Sequence, residues 1–380
     1  MDGYNRTINM DNNKRKVLLI SPNPKSAVGG IARWTGHVLR YYAQKGREQL
    51  DLVYHSYSKA VGGFASDSKL TRIKKAFHNY LPLYKEFVAL IKKEHFDVVH
   101  LCSSASWGLL RDIAMIRAAK RKSIKTVIHF RFGRIPELYQ NKNWEQKLLD
   151  KIIRLVDMAV VIDKQSYTTL MEFGYSNIRL LPNPLTPEVN EICAANQNIQ
   201  REERKIVFAG HVVPTKGVFE LVEACKQIKG IKVKMLGYVS DEMLAAVQQH
   251  AGDNCTQWLD ITGNQDYEIT IKEMLSAGVF VLPTHTEGFP NVILESMACG
   301  CPIVTTDVGA IPEMLDIEHG FNHGICVKPR QVEELRAAII KMLDDREYAM
   351  QCGQNAQRRV NEMYSMPKVW EGLVEIWGNA

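Results

Sequence analysis

The chain alternates between short, wholly apolar runs and longer stretches in which apolar residues recur every three or four positions. Runs such as residues 17–20 and 279–282 are typical of strands that are buried on both faces. The longer stretches are typical of helices that pack one face against a sheet. Because both halves show this alternation, it predicts an α/β protein of two doubly wound, Rossmann-like parallel-sheet domains that face each other across a cleft.

The predicted elements fall into two groups on either side of a proline-rich break at residues 182–187. A polar stretch at residues 188–204 is predicted to be a linker, which gives an N-terminal domain of residues 1–185 and a C-terminal domain of residues 186–365. The predicted strands are residues 16–21, 51–55, 97–101, 126–133, 158–163, 178–181, 205–210, 233–237, 256–263, 279–283, 303–306 and 324–327.

A basic amphipathic segment lies between the second and third predicted strands. Its apolar residues recur at helical spacing between lysines and arginines, and Pro82 is expected to break it into two helices. Such a pair of helices either lies on a bilayer surface or packs on the core with a solvated lysine face.

Composition describes a globular protein of two ordinary domains. The chain has 380 residues, of which 46% are hydrophobic and 24% charged, and it contains no apolar run long enough to span a bilayer. Residues 1–16 are polar and lack the apolar core of a secretory signal. Eight scattered cysteines without a C-x2-C pair favour a reduced cytoplasm and no structural zinc, with Cys299 and Cys301 bracketing a helix end.

The charge is distributed unevenly. Residues 1–190 carry 31 Lys and Arg against 16 Asp and Glu, a net charge of +15, whereas residues 191–380 carry a net charge of −9. A basic face of this kind favours an anionic partner, either lipid or nucleic acid. Aromatic residues do not interleave the basic clusters, so nucleic acid is not expected. We expect a cytoplasmic protein whose first domain rests on the inner face of a membrane.

Residues 279–300 carry the strongest chemical signal. An apolar run precedes a loop with Glu287, and Pro290 and Gly300 suit the start and the end of the following helix. The first amide hydrogens of a helix have no partner within it, and its dipole favours negative charge there. This segment therefore predicts a phosphate site.

Two glutamates flank that predicted anion site. Glu295 follows Glu287 by eight residues and lies in an apolar run, where a carboxylate is costly unless something binds it. Ligand hydroxyls are one such partner. The alternative is that Glu287 merely begins a helix and that a basic side chain satisfies Glu295.

The segment resembles the retaining family 4 glycosyltransferases of the GT-B group, which use nucleotide-sugar donors. Their signature separates two glutamates by seven residues and continues as P-I-V-x-T-D-V-G-x-I-P-E, a motif that residues 302–313 match. The resemblance implies that Glu287 contacts hydroxyls of the donor sugar and that Glu295 holds the ribose. The donor-binding residues that it implies here are Glu287, Gly288, Phe289, Pro290, Asn291, Val292 and Glu295.

Two other loops of the second half resemble the family's donor site. Residues 210–217 resemble its G-R-L-x-x-x-K-G loop, in which an arginine and a lysine grip the diphosphate. Lys216 matches the lysine, but His211 replaces the arginine, so Lys216 is expected to supply most of the positive charge. Gly263 and Asn264 lie where the family binds the base of the donor nucleotide. Backbone groups contact the base there, so the sequence does not distinguish a uridine donor from a guanosine donor.

The first half carries further candidates. Gly29 and Gly30 match a glycine-pair turn that the family places against the donor phosphate, and Arg33 matches its acceptor-side arginine. A glycine pair after a first strand also serves purely structural turns. The family's last helix crosses back to the first domain, and residues 366–380 are expected to do so here.

His129 is the catalytic candidate of this half. It ends the predicted fourth strand, where open parallel sheets place ligands, and the family has a histidine there beside the donor sugar. A structural role is the alternative. Arg131 and Arg134 either steady a phosphate on the acceptor or are surface charges.

The resemblance predicts a hexosyltransferase that retains configuration. It would move a sugar from a UDP- or GDP-linked donor to a hydroxyl of a glycan or lipid-linked acceptor in cell-surface polysaccharide synthesis. His129, Lys216 and Glu287 would act in catalysis. Because Lys216 and helix amides would neutralise the departing diphosphate and no Asp-x-Asp motif occurs, neither a metal nor a cofactor is expected.

Two other functions remain open from the sequence. A sugar-nucleotide epimerase of the same fold would bind the donor and need no acceptor. A noncatalytic binding protein would use only the basic face, with salt-sensitive binding to nucleic acid. The sequence leaves open the sugar, the acceptor and the oligomeric state.

Overall fold

The computed structural model describes residues 14–25, 30–56 and 69–380, and the side chains of all of these except residues 69–79. The described chain forms two six-stranded parallel sheets with helices around them. This confirms the predicted α/β class with two doubly wound sheets.

The first sheet has the strand order β2-β1-β3-β4-β5-β6. Its connections are helical, as parallel neighbours require. Its strands are β1 (Lys16–Ser21), β2 (Asp51–Ser56), β3 (Val98–Ser103), β4 (Lys125–Phe130), β5 (Met158–Val161) and β6 (Ile178–Leu180). Its helices are α1 (Gly30–Tyr41), α2 (Lys69–Lys93), α3 (Gly108–Lys120), α4 (Ile135–Asn141), α5 (Trp144–Leu155) and α6 (Lys164–Glu172).

The second sheet has the order β12-β11-β10-β7-β8-β9. Its strands are β7 (Glu202–Ala209), β8 (Lys232–Leu236), β9 (Leu259–Ile261), β10 (Ala277–Leu282), β11 (Ile303–Thr306) and β12 (Ile325–Val327). The helices after β6 are α7 (Pro187–Ala195), α8 (Val218–Cys225), α9 (Asp241–Ala251), α10 (Tyr267–Ser276), α11 (Asn291–Ala298), α12 (Ile311–Met314), α13 (Val332–Asp344), α14 (Arg346–Met363) and α15 (Met366–Asn379).

In each sheet the chain first adds strands on one side of its first strand and then crosses to the other side. In the first sheet β1 lies between β2 and β3, and in the second sheet β7 lies between β8 and β10. The loops that leave the carboxyl ends of two such neighbouring strands diverge and open a crevice between them. The pairs β1–β3 and β7–β10 are therefore where ligands are expected.

The central strands form the core, as the apolar runs predict. Leu18, Leu19 and Ile20 of β1 and Phe208 and Phe280 of the second sheet are fully buried. Burying each such side chain contributes about 1.5–3 kcal/mol. The central strands thus form a rigid base for the loops at their carboxyl ends.

The chain divides into two compact units. The described residues up to Arg131, together with residues 143–160 and 373–380, form the first unit, and residues 132–142 and 161–372 form the second. The end of α15 belongs to the first unit, where the indole of Trp377 donates a hydrogen bond to Nδ1 of His100 at 2.9 Å. Sheet membership changes between β6 and β7, on either side of the predicted boundary at residue 185.

Two sequence expectations about elements are wrong. The predicted linker at residues 188–204 contains most of α7, whose Val189 is fully buried, and the start of β7. Pro82 lies inside one continuous helix, α2, because the burial of Leu83, Phe87 and Ile91 holds the helix on the core despite the lost hydrogen bond. No helix of the described residues has the length and hydropathy needed to cross a bilayer.

Candidate active site

The crevice between β7 and β10 in the second unit brings the predicted Lys216 and Glu287 together. Lys216 lies in the loop from β7 to α8, and Glu287 lies in the loop from β10 to α11. The Lys216 ammonium forms an ion pair with the Glu287 carboxylate, and their side chains are 27% and 12% exposed. Both charges therefore lie at the surface of the crevice, where a ligand can reach them.

Gly217 fixes the position of Lys216. Its backbone has φ = +70°, and a Cβ there would lie 1.9 Å from the carbonyl oxygen of Pro283, so only glycine fits. The amide of His285 donates to the carbonyl of Thr215 at 2.9 Å, and the Thr284 hydroxyl donates to the same oxygen at 3.3 Å. The two loops are thus fastened directly to each other.

The residues that follow β11 support the Glu287 loop from its other side. The amide of Ala310 donates to the carbonyl of Gly288 at 3.0 Å. Gly309 has φ = +57°, and a Cβ there would lie 2.3 Å from the carbonyl oxygen of Glu287. The V-G-x-I-P-E part of the motif is therefore a brace for the loop that carries the acid.

The helix after that loop begins one residue later than predicted. α11 starts at Asn291, with Pro290 in the capping position before it. The amide of Ile293 donates to the Pro290 carbonyl at 3.1 Å, which leaves the amides before it to meet an anion. The Phe289 ring is 8% exposed and packs against Tyr364, so its side chain offers little surface to a ligand.

Glu295 lies on α11 with only 5% of its surface exposed. The hydroxyl of Tyr267, the first residue of α10, donates to its Oε1 at 2.9 Å. The sequence left two partners open for Glu295, a ligand hydroxyl or a basic side chain. The Tyr267 hydroxyl is neither of these, because it is a neutral donor from the protein itself. Sequence reasoning missed Tyr267, whose only signal is its place shortly after Gly263 and Asn264.

Three glycines mark the carboxyl ends of β7, β8 and β9. The amide of Gly237 donates to the carbonyl of Gly263 at 2.8 Å, and a Cβ on Gly237 would lie 2.1 Å from the carbonyl oxygen of Gly210. Gly263 has φ = +68° and open space where its Cβ would be, and Asn264 is exposed beside it. The backbone at Gly263 is therefore open to a ligand.

His211 and His285 differ in their surroundings. His211 is exposed, with the Tyr238 ring centre 6.1 Å from its own. His285 Nε2 lies 2.9 Å from an oxygen of Glu220 on α8, which ties the loop after β10 to that helix. Sequence reasoning missed His285, although a histidine directly after a buried strand was its only available signal.

The first unit encloses His129 completely. Its side chain has no exposed surface, and its Nε2 lies 3.2 Å from the Arg131 guanidinium, which also stacks over Trp34 at 4.5 Å. Burial, followed by the nearby Arg131 charge, lowers the pKa of His129 well below its usual value. The ring is therefore neutral, and its role beside a donor sugar stays a prediction.

His129, His100 and Cys102 form the one group of three metal-type ligands in the described residues, with their ligand atoms within 4.8 Å of one another. The Trp377 indole can only donate, so Nδ1 of His100 accepts and its Nε2 carries the proton. Nε2 of His129 likewise faces a donor, the Arg131 guanidinium. The remaining nitrogens, Nε2 of His100 and Nδ1 of His129, then carry hydrogens rather than lone pairs and have no hydrogen-bond partner among the described residues, so a metal ion would have to displace a proton from each.

Three of the other predicted residues of this half lie within the described part of the chain, and one lies outside it. Gly30 begins α1, and Arg33 on α1 is exposed. Arg134 is exposed, with its guanidinium 5.7 Å from the centre of the Phe132 ring. Gly29 lies outside the described residues.

Two family models match the chain without a gap between them. Residues 28–189 match Glycosyltransferase Family 4, and residues 190–359 match Glycosyl transferases group 1. The chain belongs to the family 4 glycosyltransferases. This confirms the family that the spacing of Glu287 and Glu295 indicated.

Solved structures share the GT-B fold of this family 4 chain. Sucrose-phosphate synthase from Thermosynechococcus elongatus superposes with a TM-score of 0.72 at 18% identity, covering 96% of this chain and 98% of that one. HepE from Anabaena, solved with UDP, superposes with a TM-score of 0.69 at 15% identity, covering 96% of this chain and all of HepE.

Curated relatives match over shorter segments. The capsular polysaccharide biosynthesis glycosyltransferase CapM of Staphylococcus aureus is 28% identical over 217 residues, 56% of each chain. The MMP alpha-(1->4)-mannosyltransferase of Mycolicibacterium hassiacum is 27% identical over 76% of this chain and 72% of its own length. The match spans about half the length of relatives such as CapM.

Proposed function

We propose that this family 4 chain transfers a hexose from a nucleoside-diphosphate sugar to a hydroxyl of a glycan or lipid-linked acceptor, with retention of configuration. The observation that carries the proposal is the ion pair of Lys216 and Glu287 at the β7–β10 crevice. One nucleotide sugar presents both groups that such a pair binds, namely phosphate oxygens for the ammonium and sugar hydroxyls for the carboxylate.

The charge that develops on the departing diphosphate would be met by the chain itself. Lys216 supplies a full positive charge, and the first amides of α11 supply partial ones. With these groups in place, the reaction needs no metal ion. Glu287 would orient the sugar, and an oxygen of the diphosphate would take the proton of the attacking hydroxyl on the same face, which retains configuration.

The glycine edge of β7, β8 and β9 would receive the base, and Glu295, oriented by Tyr267, would hold the ribose. HepE was solved with UDP and with UDP-glucose, which supports a uridine donor here. CapM acts in capsular polysaccharide biosynthesis, which supports a role in a cell-surface polysaccharide. The +15 charge of residues 1–190 supports contact with an anionic inner membrane face.

The test measures binding of UDP-glucose and GDP-mannose by thermal shift and calorimetry, followed by release of the free nucleotide diphosphate. We expect one donor to bind, and we expect Glu287→Gln to weaken nucleotide-sugar binding while binding of the free nucleotide diphosphate remains. EDTA should leave turnover unchanged. Proton NMR of the product should show the anomeric configuration of the donor.

Two outcomes would contradict the proposal. Conversion of the nucleotide sugar to an epimer, without transfer to water or an acceptor, would show an epimerase. Binding of neither donor, together with salt-sensitive binding of an oligonucleotide, would show a noncatalytic basic protein.

A further inference from the structure

Trp107 and Trp144 form a stacked pair in the first unit. Their ring centres lie 4.7 Å apart with an angle of 25° between the planes. Trp144 is 45% exposed and Trp107 is partly buried, whereas Trp34, Trp370 and Trp377 are nearly or fully buried. A large aromatic surface is thus held at the protein surface, which the fold itself does not require.

The pair lies where the first sheet presents ligands. Trp107 follows the carboxyl end of β3, and Trp144 begins α5, which follows β4 through α4. β3 and β4 are neighbours, and the amide of Arg131, just after β4, donates to the carbonyl of Ser103 at 2.9 Å. The two indoles are therefore placed at the same edge as Arg131.

A buried carboxylate holds the pair together. Glu145 is 5% exposed, and its Oε1 accepts hydrogen bonds from the amide of Ser106 at 2.6 Å and from the Ser106 hydroxyl at 3.2 Å. The bond joins the loop that precedes Trp107 to the helix turn that carries Trp144. Ala105 and Ser106 both have left-handed backbones, with φ of +67° and +55°, which this anchor maintains.

We propose that the Trp107–Trp144 pair is a binding platform for a pyranose ring of the acceptor glycan, an inference that rests on the proposed function. The C–H face of a pyranose is apolar and matches the exposed face of an indole. The hydroxyls at its rim need polar partners, and exposed Ser104 and Ser106 lie in the loop beside the platform. A rigid stacked pair suits a ring-shaped ligand, because little conformational freedom is lost when the ligand binds.

A lipid surface is the alternative occupant, because tryptophan also favours membrane interfaces and Leu110 on α3 is 47% exposed. The anchored geometry favours the saccharide. A membrane contact needs only protruding apolar groups, and nothing in it requires two indoles to be locked face to face through Glu145.

The test uses saturation-transfer NMR with cellobiose, maltose and chitobiose on wild type, Trp144→Phe, Trp144→Ala and Glu145→Ala. We expect transfer to the ring C–H protons of one disaccharide in wild type, weaker transfer in Trp144→Phe and roughly tenfold weaker binding in Trp144→Ala. Glu145→Ala should also weaken binding and remove the circular-dichroism couplet of the stacked indoles, although both indoles remain. Phe321→Ala, at a 60% exposed ring in the second unit, is the matched control and should change neither signal.

Donor and vesicle measurements separate the possible failures. Hydrolysis of UDP-glucose by water should be equal in wild type and Trp144→Ala, and so should flotation with phosphatidylglycerol vesicles. If wild type and Trp144→Ala give the same disaccharide signals, the proposed binding platform is wrong. It is also wrong if Trp144→Ala loses vesicle binding while its disaccharide signal stays intact. Failure of every nucleotide sugar to bind wild type would overturn the proposed function instead.

Discussion

At the scale of single residues, the geometry of the site depends on a few positions that accept no substitute. Lys216 meets Glu287 because Gly217 lets its loop approach Pro283, and Gly309 lets the brace approach Glu287. The chemistry and its steric support are thus separate residues, and each can be tested alone.

Under the proposed function, replacing Lys216 by Met should remove the positive charge that would meet the departing diphosphate. We expect turnover to fall by about 10²–10³-fold, the usual cost of losing one preorganised electrostatic contact. Release of nucleotide diphosphate at saturating donor measures this. Lys341→Met, at an ion pair on α13 outside the crevice, is the control and should keep full activity.

Replacing Gly217 by Ala should displace the Lys216 loop, since the new Cβ cannot lie 1.9 Å from the Pro283 oxygen. We expect a loss of about 1–3 kcal/mol of stability together with most of the donor affinity. Gly252→Ala is the matched control, because Gly252 has φ = +91° but nothing within 4 Å of its Cβ position. Urea unfolding and calorimetry should show a larger loss for Gly217→Ala, and equal losses would contradict the steric argument.

Replacing His211 by Arg would restore the family's usual residue at an exposed position of the crevice edge. A permanent positive charge there should tighten donor binding by about tenfold. Calorimetry with the nucleotide sugar measures it, and unchanged affinity would mean that His211 lies away from the diphosphate.

Sequence reasoning found the residues that carry charge and missed those that position them. Glu287 and Lys216 stand in spaced motifs, so they could be predicted together. Tyr267 and His285 belong to no motif, and their contacts with Glu295 and Glu220 arise only when strands distant in sequence become neighbours.

At the scale of elements, α10 and α11 are joined by a side-chain hydrogen bond. α11 carries Glu295 in a buried position, and α10 supplies the Tyr267 hydroxyl that binds it. A buried carboxylate without such a donor would be costly.

Replacing Tyr267 by Phe should therefore destabilise the second unit by about 1–3 kcal/mol, because the buried Glu295 carboxyl loses a hydrogen bond. A double-mutant cycle with Glu295→Leu, which has no acceptor for the hydroxyl, isolates the pair, and urea unfolding measures it. If the two substitutions are additive, the hydroxyl contributes nothing to holding Glu295.

Strong periodicity allowed most elements to be predicted, and tertiary burial decided the exceptions. The central strands lie within a few residues of their predicted bounds. The polar residues of α7 predict a linker because they hide the single buried Val189. α2 continues through Pro82 because its neighbours bury its apolar face.

At the scale of the whole molecule, stability is linked to pH through buried carboxyl groups. Asp163 caps α6, where its oxygens accept from the Ser166 amide at 2.7 Å and hydroxyl at 2.8 Å. Burial raises the pKa of Asp163 from 3.8 to about 6, despite the hydrogen bonds that lower it. Between these values the folded protein holds a proton that the unfolded chain has lost, so this carboxyl makes stability fall as pH rises.

Asp163→Asn keeps a capping oxygen and removes the titration. Its stability relative to wild type should therefore improve by up to about 3 kcal/mol as pH rises from about 4 to about 7. Chemical unfolding across this range measures the difference. Asp253→Asn, at an exposed position, is the control, and a difference that does not change with pH would contradict the assignment.

The fold class could be predicted in full at this scale, but the strand order could not. Alternating apolar runs and helices specify parallel sheets, whereas the choice of β7 as neighbour of β10 depends on which faces the helices cover. The crevice therefore became visible only in the folded chain.

The contact between Lys216 and Glu287 also has a consequence for selectivity. Before any ligand arrives, each charge already compensates the other. Inorganic phosphate or free nucleotide would separate the ammonium from its partner and strand the carboxylate, and a free hexose would strand the ammonium. A molecule that brings an anion and a polyol on one skeleton satisfies both, so under the proposed function an intact donor should bind more tightly than either of its fragments.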